Sequence, residues 1–276
     1  MSKPVPKGTK PRSTTLIFRL FRQKNAALSR QYWTSEAGRH SIRTALAGAK
    51  ATDRAVEAMA VTFETRHLDD TVEDLLARLD EHAGTERLHL LVICSANLES
   101  FLQDAVALYV AQKGYCTTDR QLDVVGHAMA SPVVDRSTVP DMLEYTEQLL
   151  GLNFGADLTK WRRAYKLRCS AAHEGGFMSA DTAKKLGASR HVIGALINVS
   201  WDELKSFMVA AHSIANAIDK KIATGPLREF EVAWTLAQWK RDQTLPSREE
   251  VWNVLHELGI KVERPKKQAM EKWVYA

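Results

Sequence analysis

The sequence predicts an all-α protein, and three observations carry that prediction. Apolar residues recur three and four positions apart in almost every periodic segment, the spacing that lines one face of a helix. Two S-x-x-E capping boxes, Ser200/Glu203 and Ser247/Glu250, stand directly before such runs. Strand-like alternation is limited to Ile260-Lys261-Val262-Glu263.

Taken in order, the chain opens with Lys3, Lys7 and Lys10 among three prolines, with no apolar stretch, and reads as a disordered basic leader over residues 1–12. Leu16 to Trp33 is weakly amphipathic. Ala37 to Arg66 is alanine-rich and interrupted only by Gly38 and Gly48, so one long helix or two fit equally well. Val72, Leu75, Leu76 and Leu79 mark a short amphipathic helix ending around Gly84. From Glu86 to Gln112 the chain is apolar most of the way round, with a narrow polar stripe through Ser95, Glu99 and Gln103. Such a helix belongs at the centre of a bundle or in a subunit interface.

Gly114 closes that helix, and Tyr115 to Pro140 is irregular, broken by Pro132 and Pro140. Helices come next at Asp141–Leu150, closed by Gly151, and at Asp157–His173. The clearest runs from Ser200 to Ile222, where Trp201, Leu204, Met208, Ala211, Ala215, Ile218 and Ile222 form an apolar seam. Gly225-Pro226 reads as a stop and a domain edge. Leu227–Trp239 is a further helix, and Val251, Val254, Leu255 and Leu258 form another with Gly259 as its C-cap. Trp234, Trp239 and Trp252 are expected in the core of these last helices. The expected organisation is a leader (1–12), a helical extension (13–84), a central helical bundle (85–225) and a C-terminal helical extension (226–276).

Composition narrows the function. With 276 residues, 45% apolar and 26% charged, the chain has the make-up of an ordinary globular protein. A net charge of +5 is compatible with an acidic partner. Cys94, Cys116 and Cys169 are odd in number and far apart, which supports neither a disulfide framework nor a zinc site and suits a reducing, cytoplasmic setting. The longest apolar run, near Leu90–Cys94, is too short to cross a bilayer, so no membrane partner is expected. Neither G-x-x-x-x-G-K nor G-x-G-x-x-G is present, so neither motif offers a phosphate-cradling loop; no cofactor and no metal are expected.

The segment richest in chemistry is Arg168-Cys169-Ser170-Ala171-Ala172-His173, followed by Glu174-Gly175-Gly176 and preceded by Lys160-Trp161-Arg162-Arg163-Ala164-Tyr165-Lys166. An arginine can hold a phosphate with a planar fork of donors, and a histidine exchanges protons near neutral pH. On a helical wheel Leu158, Trp161, Tyr165, Cys169 and Ala172 share the face expected to be buried. Arg168 and His173 fall on opposite margins of it, roughly 140° apart. Either the helix unwinds at Ala172 or a second copy of the chain completes the site. Plainer readings stand beside this one. His173 compensates a helix dipole, and Lys160, Arg162, Arg163 and Lys166 form either a solvated face or an RNA-backbone track. Glu99 makes a salt bridge with Arg168. His127, His191 and Asp135 are further polar residues in connecting segments, and His212 sits at the margin of the long seam.

The R-x4-H pattern at a helix end, followed by glycine, resembles the catalytic signature of HEPN domains, small all-α bundles that often act as ribonucleases. Val92-Ile93-Cys94-Ser95-Ala96-Asn97-Leu98-Glu99-Ser100-Phe101-Leu102-Gln103-Asp104 is similar to the first core helix of the RiboL-PSP-type branch. The resemblance spans Glu86 to Ile222, about half of the chain. It implies a HEPN-like bundle and a metal-independent endoribonuclease of toxin or phage-defence type, working as a homodimer with an antitoxin or regulatory protein as partner. His173 would be the general acid/base and Arg168 would hold the scissile phosphate, with Glu99 and Cys169 supporting or orienting them. RNA would be the substrate, left with a 2′,3′-cyclic phosphate by attack of its own 2′-hydroxyl. Active members usually carry a polar residue, often asparagine, after the arginine; here it is Cys169, a weaker donor. The alternative the resemblance allows is a non-catalytic HEPN module that dimerises and binds RNA or a partner protein.

Overall fold

The computed structural model describes residues 14–59, 70–112, 139–258 and 264–275. Within them the all-α expectation holds. The helices are α1 (Leu16–Leu46), α2 (Ala55–Ala58), α3 (Val72–Gln112), α4 (Val139–Leu150), α5 (Ala156–His173), α6 (Ala180–Leu186), α7 (Trp201–Ile222), α8 (Gly225–Arg241), α9 (Val251–Glu257) and α10 (Arg264–Val274). A 3₁₀ turn occupies Arg190–Val192, and β pairing among the described residues is limited to the isolated bridges Arg54–Thr71 and Phe177–Leu196. The leader at 1–12, residues 115–138 of the expected irregular stretch 115–140 and the strand at 260–263 lie outside the described residues, as do Gly114 and Gly259; Val139 and Pro140 are helical rather than irregular.

Three glycine and proline signals act differently from their local reading. Gly38 does not interrupt α1, which runs on to Leu46; of the two options for Ala37 to Arg66, the described part shows two helices, the end of α1 and the short α2, with the break just before Gly48. Gly84 does not end a helix either: α3 passes through it as a single 41-residue element. A glycine in mid-helix costs about 1 kcal/mol relative to alanine, and here a close neighbour accounts for it. A Cβ on Gly84 would lie 2.9 Å from Asn198 Oδ1, in the segment that leads into α7. Gly225-Pro226 opens α8 rather than stopping α7, which has already ended at Ile222. Proline suits a first helical turn because its missing N–H has no intrahelical acceptor there. Pro140 likewise falls in the first turn of α4.

The described residues form two compact units. One gathers those within 1–22, 99–154 and 214–276, the other 23–98 and 155–213. α1, α3 and α7 each contribute a portion to both, so neither unit is continuous in sequence.

In the first unit Phe18, Phe21 and Phe101 cluster, with ring centroids 5.3 Å apart for Phe21–Phe101 and 6.1 Å for Phe18–Phe101. Two buried carboxylates receive the start of α1. Asp219 accepts from the Thr15 N–H (2.9 Å) and hydroxyl (2.6 Å), and Glu231 accepts from the Ile17 N–H (3.1 Å). These donors are among those a helix start leaves unpaired. A second core joins Val232, Leu236, Val251, Leu255 and Val274, with Trp239 and Trp252 packed against it as expected. Trp234 instead stacks on Phe230, half-buried.

In the second unit α1 and α3 run antiparallel. Asn25 meets Asn97 (3.2 Å), Arg39 meets Glu86 (2.6 Å) and Arg43 meets Asp80 (2.7 Å), so partner numbers fall on α3 as they rise on α1. The Ser200/Glu203 box is formed, with the Glu203 N–H on Ser200 Oγ at 3.1 Å and the Ser200 N–H on Glu203 Oε2 at 3.2 Å. Along α7, Leu204, Ala211, Ala215, Ile218 and Ile222 are buried as spaced. Phe207, Ala210 and Ile214 are buried too, so the covered face is wider than one seam, and His212 is exposed rather than marginal. An 18-residue window within Val72–Val110 is apolar enough to cross a membrane by length and composition; half of it is buried inside the fold, as in the core helix of a soluble protein.

Candidate functional site

α5 is the element that carries the R-x4-H residues, and its N-terminal anchor is Trp161, fully buried. Its covered positions are Leu158, Trp161, Ala164, Leu167 and Ser170, one every third residue. That corrects the expected face. An i+3 series drifts by about 60° per step around a 3.6-residue helix, so the buried stripe leaves Tyr165 and Cys169 half-covered and Ala172 exposed.

The helix keeps its form to its last residue, His173, and does not unwind at Ala172. Arg168 and His173 are therefore separated by about 7.5 Å along the axis and by about 140° around it. Arg168 is half-buried; its Cζ lies 5.5 Å from the Tyr165 ring centroid, and its Nε is buried without a hydrogen-bond partner. His173 is exposed.

Immediately after His173 the chain turns sharply. The Ser170 carbonyl accepts from the N–H groups of Glu174 (2.9 Å) and Gly176 (3.3 Å), and Gly175 and Gly176 take φ values of 63° and 85°. The second of these has a further reason to be glycine, since a Cβ there would stand 3.3 Å from Leu88 Cδ2. Ser170 Oγ, buried, bonds Thr182 Oγ1 at 2.6 Å and Glu174 Oε2 at 3.1 Å, tying the end of α5 to α6. Phe177 then returns beside Leu196, with the Met178 N–H on the Ala195 carbonyl (2.9 Å) and the Ile197 N–H on that of Gly176 (2.8 Å).

The cations of α5 are outward-facing and loosely engaged. Arg163 pairs with Glu203 at 3.2 Å, Lys160 stands 3.8 Å from Asp157, and Lys166 Nζ donates to the Lys185 carbonyl at 2.8 Å. Arg162 is exposed. Such surface pairs contribute about 0–1 kcal/mol and are readily exchanged for another anion. Lys185 is held more firmly positive: its hydrogen bond to Asp181 and that residue's charge raise its pKa, with smaller help from Cys169 and Glu174. Cys169 is a half-buried free thiol. The other described cysteine, Cys94, is fully buried, which pushes its thiol up to about 12 and keeps it unreactive. Glu99, half-buried, belongs to the other compact unit, and Arg168 has no ion pair among the described residues of its own. His191 is exposed in the 3₁₀ turn; His127 and Asp135 lie outside the described residues. Among the described residues no three His, Cys, Asp or Glu side chains gather as metal ligands would.

Two features escape a reading by motif. Residues 156–199 hold eight lysines and arginines against three aspartates and glutamates, a surplus of five, which equals the net charge of the whole chain. A local charge count would have found it. The second is an exposed apolar cluster of Phe177, Val192, Ile193 and Leu196 just beyond His173, each more than a third exposed. No periodicity announces it, because these residues lie in a 3₁₀ turn and a short bridged pair rather than along one helix. Compared with known proteins, the chain matches no protein-family model, no curated protein and no solved structure.

Proposed function

We propose that the chain is a metal-independent endoribonuclease acting at a site shared by two copies of α5, in the manner of the HEPN domains it resembles. The observation that carries this reading is the coincidence of charge and chemistry. The entire cationic surplus of the protein sits on the segment that holds an accessible histidine and a half-buried arginine with no counter-ion among the described residues of its unit.

In this mechanism His173 serves as general base toward the 2′-hydroxyl or as general acid toward the leaving 5′-oxygen. Arg168 binds the scissile phosphate and offsets the charge that builds on its oxygens. Cys169 is half-covered beside Arg168 and orients it. Lys160, Arg162, Arg163 and Lys166 hold the flanking backbone, exchanging their weak surface pairings for phosphate. One helix separates Arg168 and His173 too widely for a common atom, so a two-fold partner supplies the second group of each pair. The exposed apolar residues Phe177, Val192, Ile193 and Leu196 supply the kind of surface that such a contact covers.

Complementation tests this directly. Purified protein is incubated with mixed RNA in EDTA beside Arg168→Ala and His173→Ala variants, each alone and then mixed after subunit exchange. Cleavage by the parent with cyclic phosphate ends, none by either variant, and recovery to about one quarter of parental activity in an equal mixture is expected, because half the dimers then hold one intact site. No recovery on mixing would overturn the shared site. No cleavage of any RNA by the parent would overturn the nuclease and leave a helical binding module.

A further inference from the structure

Outside the R-x4-H segment, the most unusual surface in the second unit is an aromatic cluster where α1 meets the start of α7. The Tyr32 and Trp201 rings stack face to face at 4.1 Å and 8°, and Trp33 stands edge-on to both at 5.2 Å. Tyr32 is buried, Trp201 is half-covered and Trp33 is 54% exposed. The cluster is braced from behind. Arg87 Nε donates to the Val199 carbonyl and its Nη2 to Asn198 Oδ1 (3.3 Å), fixing the chain that enters α7. Glu36 bonds Arg39 (2.8 Å), and the Ser200/Glu203 box locks the first turn of α7.

Cations lie within one turn of the cluster on both helices. Arg30, exposed, lies one turn before Trp33 on α1, and Lys205, also exposed, lies one turn after Trp201 on α7. Glu203, two residues from Trp201, is the partner of Arg163 on α5. The acidic groups nearby are Glu36, Glu203 and Asp202, and the first two are already matched by arginines. Arg163 of α5 thus reaches the first turn of α7, the turn that also carries Trp201, against which Trp33 stands.

We infer that Trp33, backed by Trp201 and Tyr32, is a stacking platform for one nucleobase of single-stranded RNA whose backbone lies on the α5 cations. This rests on the RNA-directed reading above and adds where a base is held. An exposed aromatic held edge-on against a stacked pair, with cations nearby, is the kind of arrangement by which proteins hold unpaired strands without reading sequence. A ring serving only as core would be covered.

The test uses a fluorescein-labelled 12-nucleotide oligouridine and an abasic ribose-phosphate oligomer of the same length, titrated by anisotropy against the full chain carrying His173→Ala to prevent cleavage. In that background Trp33→Leu keeps apolar bulk and loses the π-face, and Trp33→Phe keeps a smaller ring. Trp33→Leu should weaken oligouridine binding by about five- to one-hundred-fold, leave the abasic oligomer unaffected, and be largely reversed in Trp33→Phe. Equal affinity for oligouridine in Trp33→Leu, or an equal loss for both oligomers, would overturn the platform. Loss of dimer without loss of RNA affinity would do the same and reassign the ring to a subunit contact. If the parent cleaves RNA while Trp33 has no effect, the platform alone falls. If Trp33-dependent binding occurs without cleavage by the parent, the nuclease alone falls. A chain that binds neither oligomer removes both.

Discussion

The turn after His173 offers a matched pair of substitutions whose costs differ for a stated reason. Gly175 has φ 63°, close to the centre of the left-handed region, and a Cβ there would meet only the Phe177 ring at 3.8 Å. Gly175→Ala should therefore cost about 1 kcal/mol, the left-handed penalty of an L-residue less what alanine gains by restricting the unfolded chain. Gly176 has φ 85°, further from that centre, and its Cβ would press on Leu88 Cδ2 at 3.3 Å. Leu88 is buried and cannot swing into solvent. Gly176→Ala should cost about 2–4 kcal/mol, backbone strain and overpacking together. Urea unfolding of the two variants beside the parent measures both, and Leu88→Ala in the Gly176→Ala background should cost less than the sum of the two single changes. If Gly176→Ala proves no worse than Gly175→Ala, the packing argument for this turn is wrong. If either alanine stabilises, the backbone argument is wrong as well.

Two other outcomes stem from buried polar groups. Ser170→Ala should destabilise the protein by about 1–3 kcal/mol by stranding the buried Thr182 hydroxyl, and hydrogen exchange of the α6 amides should speed up while those of α8 do not; unchanged α6 protection would show that Ser170 does not fasten α5 to α6. Burial raises the pKa of Asp219 and of Glu231, against the opposing hydrogen bonds from the start of α1 and the charge of Arg19. The folded chain thus keeps these protons to higher pH than the unfolded chain, so their contribution is fullest in acid and is lost as pH rises through the raised values. Unfolding free energies measured from the ordinary carboxylate range up to neutrality should fall with pH in the parent and fall less in Asp219→Asn. Identical slopes would show that Asp219 does not titrate in that window.

Features governed by neighbours in sequence were legible in advance. The capping box Ser200/Glu203, the closure of α4 at Gly151 and the end of α5 at His173 each depend on side chains or φ preferences within about four residues. Gly84 and Gly225-Pro226 were not, because a helix passes through glycine or begins at Gly-Pro according to what lies beside it. For Gly84 that neighbour is Asn198, more than a hundred residues away. The candidate site divides in the same way. Arg168 and His173 stood out as residue types at a helix end, whereas Trp33 beside Trp201 could not be seen from either position alone.

The sequence by itself determined an all-α chain, the helical spacing between Arg168 and His173, and the charge that accompanies them, because each depends on residue identity and helix geometry alone. Only the tertiary structure decided that α5 buries every third residue, that its end is tied to Thr182 while Leu88 packs against the turn beyond it, and that Trp33 stands exposed edge-on to Tyr32 and Trp201. Those outcomes depend on which distant surfaces meet, and a three-residue stripe and a four-residue stripe look alike in an alanine-rich helix until a neighbour covers one of them.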